Sequence, residues 1–134
     1  MEINIDQEIL GDLMRALETL ESSTDLEGTA IVSKTGLRIA SSETANIAAD
    51  IYSASPATLI SLGQKISHGL KQGELQEIVI RGTRGYTIIL VGAEDNDYML
   101  FSSCKKAFKL GYYVHKLKKA FQIIEPVLKQ IPTE

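Results

Sequence analysis

"YTIILVGA", residues 86–93, decides how this chain folds. A strand with one wet face alternates apolar and polar residues; this run does not, so both of its faces must be covered. Its neighbours are also short apolar runs, Leu75 to Gly82 across "TRG" and Asp97 to Ser103 across "AEDN". Separators so short, built from turn formers, join antiparallel neighbours. Residues 75–103 therefore read as a three-stranded meander that needs a helical layer on each face.

The flanking segments supply those layers. From Asp6 to about Ser22, the residues Ile9, Leu10, Leu13, Leu17 and Leu20 recur at helical spacing. Asp6 is placed to cap that helix, and Ile5 and Leu10 have the spacing of a hydrophobic staple. In "AIVSKTGLRIASS", residues 30–42, two apolar runs flank a tight turn in which Gly36 takes the left-handed conformation, so residues 28–42 form a β-ribbon. Between residues 42 and 74, Ile47, Ile51, Ala54, Leu59, Leu62, Ile66 and Leu70 trace one helical stripe, with a bend or restart at Pro56. Leu110, Val114, Leu117, Phe121, Ile124 and Leu128 mark a final helix over residues 108–131, locally weakened by Gly111 and Pro126. The order is αββαβββα, an α+β class (α/β sandwich), in which hairpin and meander join as one five-stranded antiparallel sheet. Residues 1–134 are expected to be one domain.

With 44% hydrophobic and 23% charged residues, the composition is that of a globular protein, not a disordered one. One cysteine, Cys104, allows no internal disulfide. The longest apolar run is too short to span a bilayer, and the acidic start "MEINIDQE" lacks the features of a secretory signal. A cytoplasmic protein is the expectation. The net charge of -3 conceals a division along the chain: residues 1–27 hold eight acids and one base, whereas residues 105–119 hold six lysines and no acid. Helices built from these segments would attract one another if they lay side by side, by about 0 to 1 kcal/mol per exposed pair. An acidic protein without aromatic–basic interleaving is not expected to bind an anionic lipid surface or nucleic acid.

Several local sequences, in this order, resemble the roadblock family, the dynein light-chain-related domain with a profilin-like layout also found in regulators of small GTPases. "GTAIVSKTGLRIASS" is similar to its first hairpin, "GELQEIVIRGTRGYTIILVG" to its third and fourth strands, and "KLGYYVHKLKKAF" to the glycine-containing start of its last helix. Pro56 and the basic final helix depart from that pattern. The resemblance implies a homodimer in which third strands pair edge to edge and second helices pack together. Leu75, Glu77, Ile78, Val79 and Ile80 would form the strand seam, and Ala54, Ser55, Leu59 and Leu62 the helix seam. The residues agree with that implication. "LQEIVI" is a β-branched strand without proline, a hazard if left unpaired, and a two-fold arrangement pairs it with its own copy. Ala48, Ala49, Ala54, Ser55, Ala57, Ser61 and Gly63 are small enough for a close helix approach.

Nothing in the sequence marks an enzyme, a metal site or a cofactor. Cys104 lies next to Lys105 and Lys106, but no histidine stands in a catalytic context beside it, so it reads as a small strand-end residue. Gly82, Gly85 and Gly92 precede no Gly-Lys-Ser or Gly-Lys-Thr and read as turn residues. What the resemblance implies is a non-catalytic homodimeric scaffold that binds a Ras-like small GTPase and tunes its cycle. Asp50, Ser53, Gln64, Lys65 and His68 would be polar contacts on the paired helices. Arg38, Arg81 and Arg84 are the arginines that could act in trans, without a local context that marks any of them. The alternatives are an interaction subunit of a motor or membrane-anchored complex without effect on hydrolysis, and a small-ligand sensor.

Overall fold

The structure, a computed structural model, describes residues 6–42 and 54–131. Helix α1 spans Gln7–Thr24 and is capped by Asp6, whose carboxylate accepts the Glu8 N–H at 2.8 Å. It ends two residues beyond Ser22, at Thr24, whose hydroxyl donates to the Leu20 carbonyl, and Asp25 follows as C-cap in the left-handed conformation. Ile5, the outer half of the expected staple, lies outside the described residues.

Strands β1 (Leu26–Ser33) and β2 (Arg38–Ser41) form the expected hairpin. At its tip Gly36 has φ 100° and its N–H donates to the Ser33 carbonyl at 3.0 Å, while Ser33 Oγ accepts the Leu37 N–H at 2.9 Å. Helix α2 is described over Ala54–Gly69 and contains Pro56; the expected bend or restart there involves preceding residues that lie outside the described ones. Ile47, Ile51, Ala48 and Ala49 lie outside the described residues.

The meander is β3 (Glu77–Arg81), β4 (Gly85–Val91) and β5 (Tyr98–Lys105), followed by α3 (Leu110–Leu128). Hairpin and meander join through β1 and β5, giving the order β2-β1-β5-β4-β3, antiparallel throughout. Strands β2 and β3 are the edges.

Both faces of the sheet are covered, which explains the apolar run of β4. Its Tyr86, Ile88 and Leu90 join Leu100 and Ile31 beneath α1 and α3, while Ile89 and Val91 join Ala30, Val32, Met99 and Phe101 beneath Ile60 of α2. Each such side chain contributes about 1.5 to 3 kcal/mol when fully buried. Helices α1 and α3 do lie side by side, and an apolar seam of Leu13, Leu17, Leu20, Tyr113, Leu117, Phe121 and Ile124 fills the layer between them and the sheet. Two lysines pair elsewhere: Lys118 of α3 with Glu77 of β3 at 3.1 Å, and Lys129, just past α3, with Asp95 at 3.5 Å. Among the described residues no helix is long and apolar enough to cross a membrane.

Candidate docking face

Helix α2 is apolar on two sides, and only one of them meets the sheet. Pro56, Ile60, Gly63 and Ser67 recur at helical spacing on its inner side; all but the half-buried Gly63 are buried. Gly63 is the point of closest approach, since a Cβ there would lie 2.8 Å from a Leu75 methyl and 3.5 Å from Ile78. Leu62, Ile66 and Leu70 follow a second stripe about a quarter turn away and are exposed at 53%, 61% and 64%. The stripe read from the sequence through Leu62, Ile66 and Leu70 thus lies on the outer side of the helix, where Leu62 was expected to form the helix seam. On the inner side Ile60 fills the space over the sheet, while at Gly63 the helix backbone comes close to Leu75, and Leu62, Ile66 and Leu70 are left facing solvent.

Strand β3 adds a second feature. It pairs with β4 on one side only, and the register fixes which backbone groups look outward. Val91 donates to the Gln76 carbonyl at 3.0 Å and Gly82 to the Gly85 carbonyl at 2.9 Å. Alternation between those fixed ends makes Ile78 and Ile80 the residues bonded to β4, so the N–H and C=O groups of Glu77, Val79 and Arg81 point away from it. Val79 and Ile80 are exposed as well.

The residues named for the two seams divide accordingly. Ser55, Leu62, Val79 and Ile80 are exposed, whereas Leu59, Leu75 and Ile78 pack against the chain's own core under α2, and Glu77 is half-buried at Lys118. Ala54 opens the helix. Of the polar candidates, Asp50 and Ser53 lie outside the described residues. Gln64 and His68 are engaged within the chain: Gln64 Oε1 accepts the Leu75 N–H at 3.2 Å, and the His68 ring lies 3.0 Å from Glu74. They fasten the end of α2 to the segment that enters β3. Lys65 is exposed. Ile66 and Leu70 were missed as surface residues, and the signal that could have found them is Gly63, which marks the inner side of the helix.

Cys104 is buried, its thiol 3.9 Å from the Tyr86 carbonyl, and burial pushes the thiol up from its ordinary value. A thiol held protonated in the core packs; it does not attack. Arg38 lies on the far edge strand from β3, and Arg81 and Arg84 flank the exposed β3–β4 turn. Among the described residues, surface grooves open on the α1–α3 side. One, of about 350 Å³, runs between those helices past Ala16, Leu20, Ala120 and Ile123; another, of about 470 Å³, lies beside Leu75, Val91 and Phe121.

Residues 13–100 match the sequence profile of the Roadblock/LC7 domain. No curated protein sequence matches the chain. Among solved structures its fold is similar to that of MglB from Myxococcus xanthus, with TM-score 0.85 and 14% identity over 99% of this chain and 98% of that one. It is also similar to an MglB with a tetrameric arrangement, with TM-score 0.79 and 14% identity over 96% of each chain. A Roadblock/LC7 domain from Streptomyces avermitilis superposes with TM-score 0.78 at 13% identity, over 87% of this chain and 98% of that one.

Proposed function

Because the chain belongs to the Roadblock/LC7 domain family, we propose that it is a homodimeric regulator, one roadblock-like domain per subunit, that binds a Ras-like small GTPase in the cytoplasm. It has no active site of its own in this reading and tunes the nucleotide cycle of its partner. The observation that carries the proposal is the outward stripe of Leu62, Ile66 and Leu70 on α2, together with the open edge of β3. An exposed strand edge and an exposed apolar stripe are each liabilities for a solitary subunit. A second copy removes both at once, through strand pairing between outward groups of Glu77, Val79 and Arg81 and through helix packing. The tetrameric arrangement of one MglB supports self-association as a habit of this fold.

In such a dimer the two α2 helices form one platform, with Lys65 among its exposed charges, and a GTPase seated there has its switch loops ordered by contact. The test has two parts. Molecular mass in solution is expected to be twice that of the 14.7 kDa chain. Phosphate release by a Ras-like GTPase encoded in the same genome is expected to change on adding the protein. A monomer would remove the shared platform. A dimer that binds the GTPase in neither nucleotide state would leave an interaction subunit of a larger assembly as the function.

A further inference from the structure

The end of the sheet where β5 runs into α3 carries another charged surface, which meets the β3 edge only at Arg81. Lys105, Lys106 and Lys109 surround Phe108, whose side chain is 49% exposed. Register brings more cations to the same end, because Gly85 pairs with Lys105, and Tyr86 pairs with both Cys104 and Arg81, so the β3–β4 turn with Arg81 and Arg84 lies alongside.

Aromatic rings hold this end in shape. Phe108 packs on Tyr112 with centroids 4.7 Å apart and on Tyr113 at 6.1 Å, and the buried Tyr113 donates its hydroxyl to the Lys105 carbonyl at 3.1 Å. Lys106 lies 5.5 Å above the Tyr86 ring and Lys116 lies 5.8 Å above Tyr112. Folding thus supplies the aromatic–basic interleaving that the sequence reading did not find. Among the described residues, Glu27 lies 4.0 Å from Lys105, and Asp25 stands just ahead of β1. Among the described residues, Arg81, Arg84, Lys106 and Lys109 make no ion pair.

Gathering like charges without neutralising them destabilises the folded chain, and a half-exposed phenyl ring among them adds to that cost. A surface that is anionic outside and apolar just beneath offsets both. We propose that this end docks the protein on an anionic lipid bilayer, with Lys105, Lys106, Lys109, Lys116, Arg81 and Arg84 at the headgroups and Phe108 at the acyl boundary. A nucleic acid strand would instead need a groove with rings free to stack on successive bases. Here the rings pack tilted and edge-on against one another, and of the proposed contact residues only Lys116 lines a surface groove.

Co-sedimentation of the full chain with vesicles tests this. The protein is expected to pellet with vesicles containing about one-third phosphatidylserine, to stay in solution with pure phosphatidylcholine, and to be released by salt. Exchanging Lys105, Lys106 and Lys109 for Gln is expected to weaken binding on the order of a hundredfold at low salt. Phe108→Ala should weaken it several-fold with less dependence on salt. The same number of charges removed at the opposite end, by Lys34→Gln, Lys71→Gln and Lys129→Gln, should change it little. Equal binding to neutral vesicles, or equal losses from both triple variants, would overturn the proposal. So would retention of duplex DNA, at a salt concentration where vesicles are not bound.

Discussion

At Gly92 the chain turns so close to its next strand that no side chain fits. A Cβ there would lie 2.6 Å from the Tyr98 carbonyl oxygen and 2.6 Å from the side chain of Asn96. Neither neighbour can yield. The Tyr98 carbonyl accepts the Gly92 N–H at 3.0 Å, and buried Asn96 donates to Glu125 of α3 at 2.8 Å while accepting the Tyr98 N–H at 3.1 Å. Gly92→Ala is therefore expected to lower stability by about 1 to 3 kcal/mol, read from the urea midpoint. Gly111 offers the contrast: it sits in α3 with nothing within 4 Å of an added Cβ. Alanine there is expected to raise stability by up to about 1 kcal/mol, because it lessens the entropy lost on forming the helix. Equal effects at both positions would mean that the β4–β5 turn relaxes around the new methyl. The sequence marks both residues only as glycine; the opposite signs come from packing between segments that sequence spacing does not bring together.

For α2 the decisive quantity is which side faces out. If Leu62, Ile66 and Leu70 form a contact between copies, Ile66→Glu places a charge in that seam and is expected to shift the mass in solution toward one subunit while leaving monomer stability within about 0.5 kcal/mol, since the site is already exposed. Light scattering over a range of concentrations would show it. A variant that keeps the wild-type mass and also binds a GTPase unchanged would reduce the stripe to solvated surface. Strands were legible because their period is short and their surroundings simple: β4 lacks alternation, so it is covered twice, and "SKTG" closes a hairpin whatever lies around it. Helix α2 was legible as a helix but not in its rotation. The stripe through Leu62, Ile66 and Leu70 gives the period of the helix, but which side meets the sheet shows only in the closeness of Gly63 to Leu75. The same limit applies to Gln64 and His68, whose partners Leu75 and Glu74 become neighbours when α2 lies against the entrance to β3.

On the scale of the whole molecule, the open edge at β3 and the basic end at Phe108 constrain each other. A two-fold axis that pairs β3 with its copy antiparallel sets the two basic ends at opposite ends of the joined sheet, so a flat bilayer meets one of them at a time. Membrane docking then gains little from dimerisation, and the two properties can be separated by experiment. The dimer can be read from heat stability alone, because association favours the folded state by mass action. Each tenfold rise in concentration adds about 1.4 kcal/mol per dimer, or about 0.7 per subunit, which raises the unfolding midpoint by roughly 2–4 °C for a chain of this size. Val79→Pro is the matching control. The Val79 N–H points away from β4, so proline removes no bond within the subunit, yet it leaves the twin strand without a donor at the centre of the seam. Wild-type midpoints that climb with concentration, beside flat midpoints for the variant, are the expected outcome; midpoints that are flat for both would mean that β3 remains an open edge in solution.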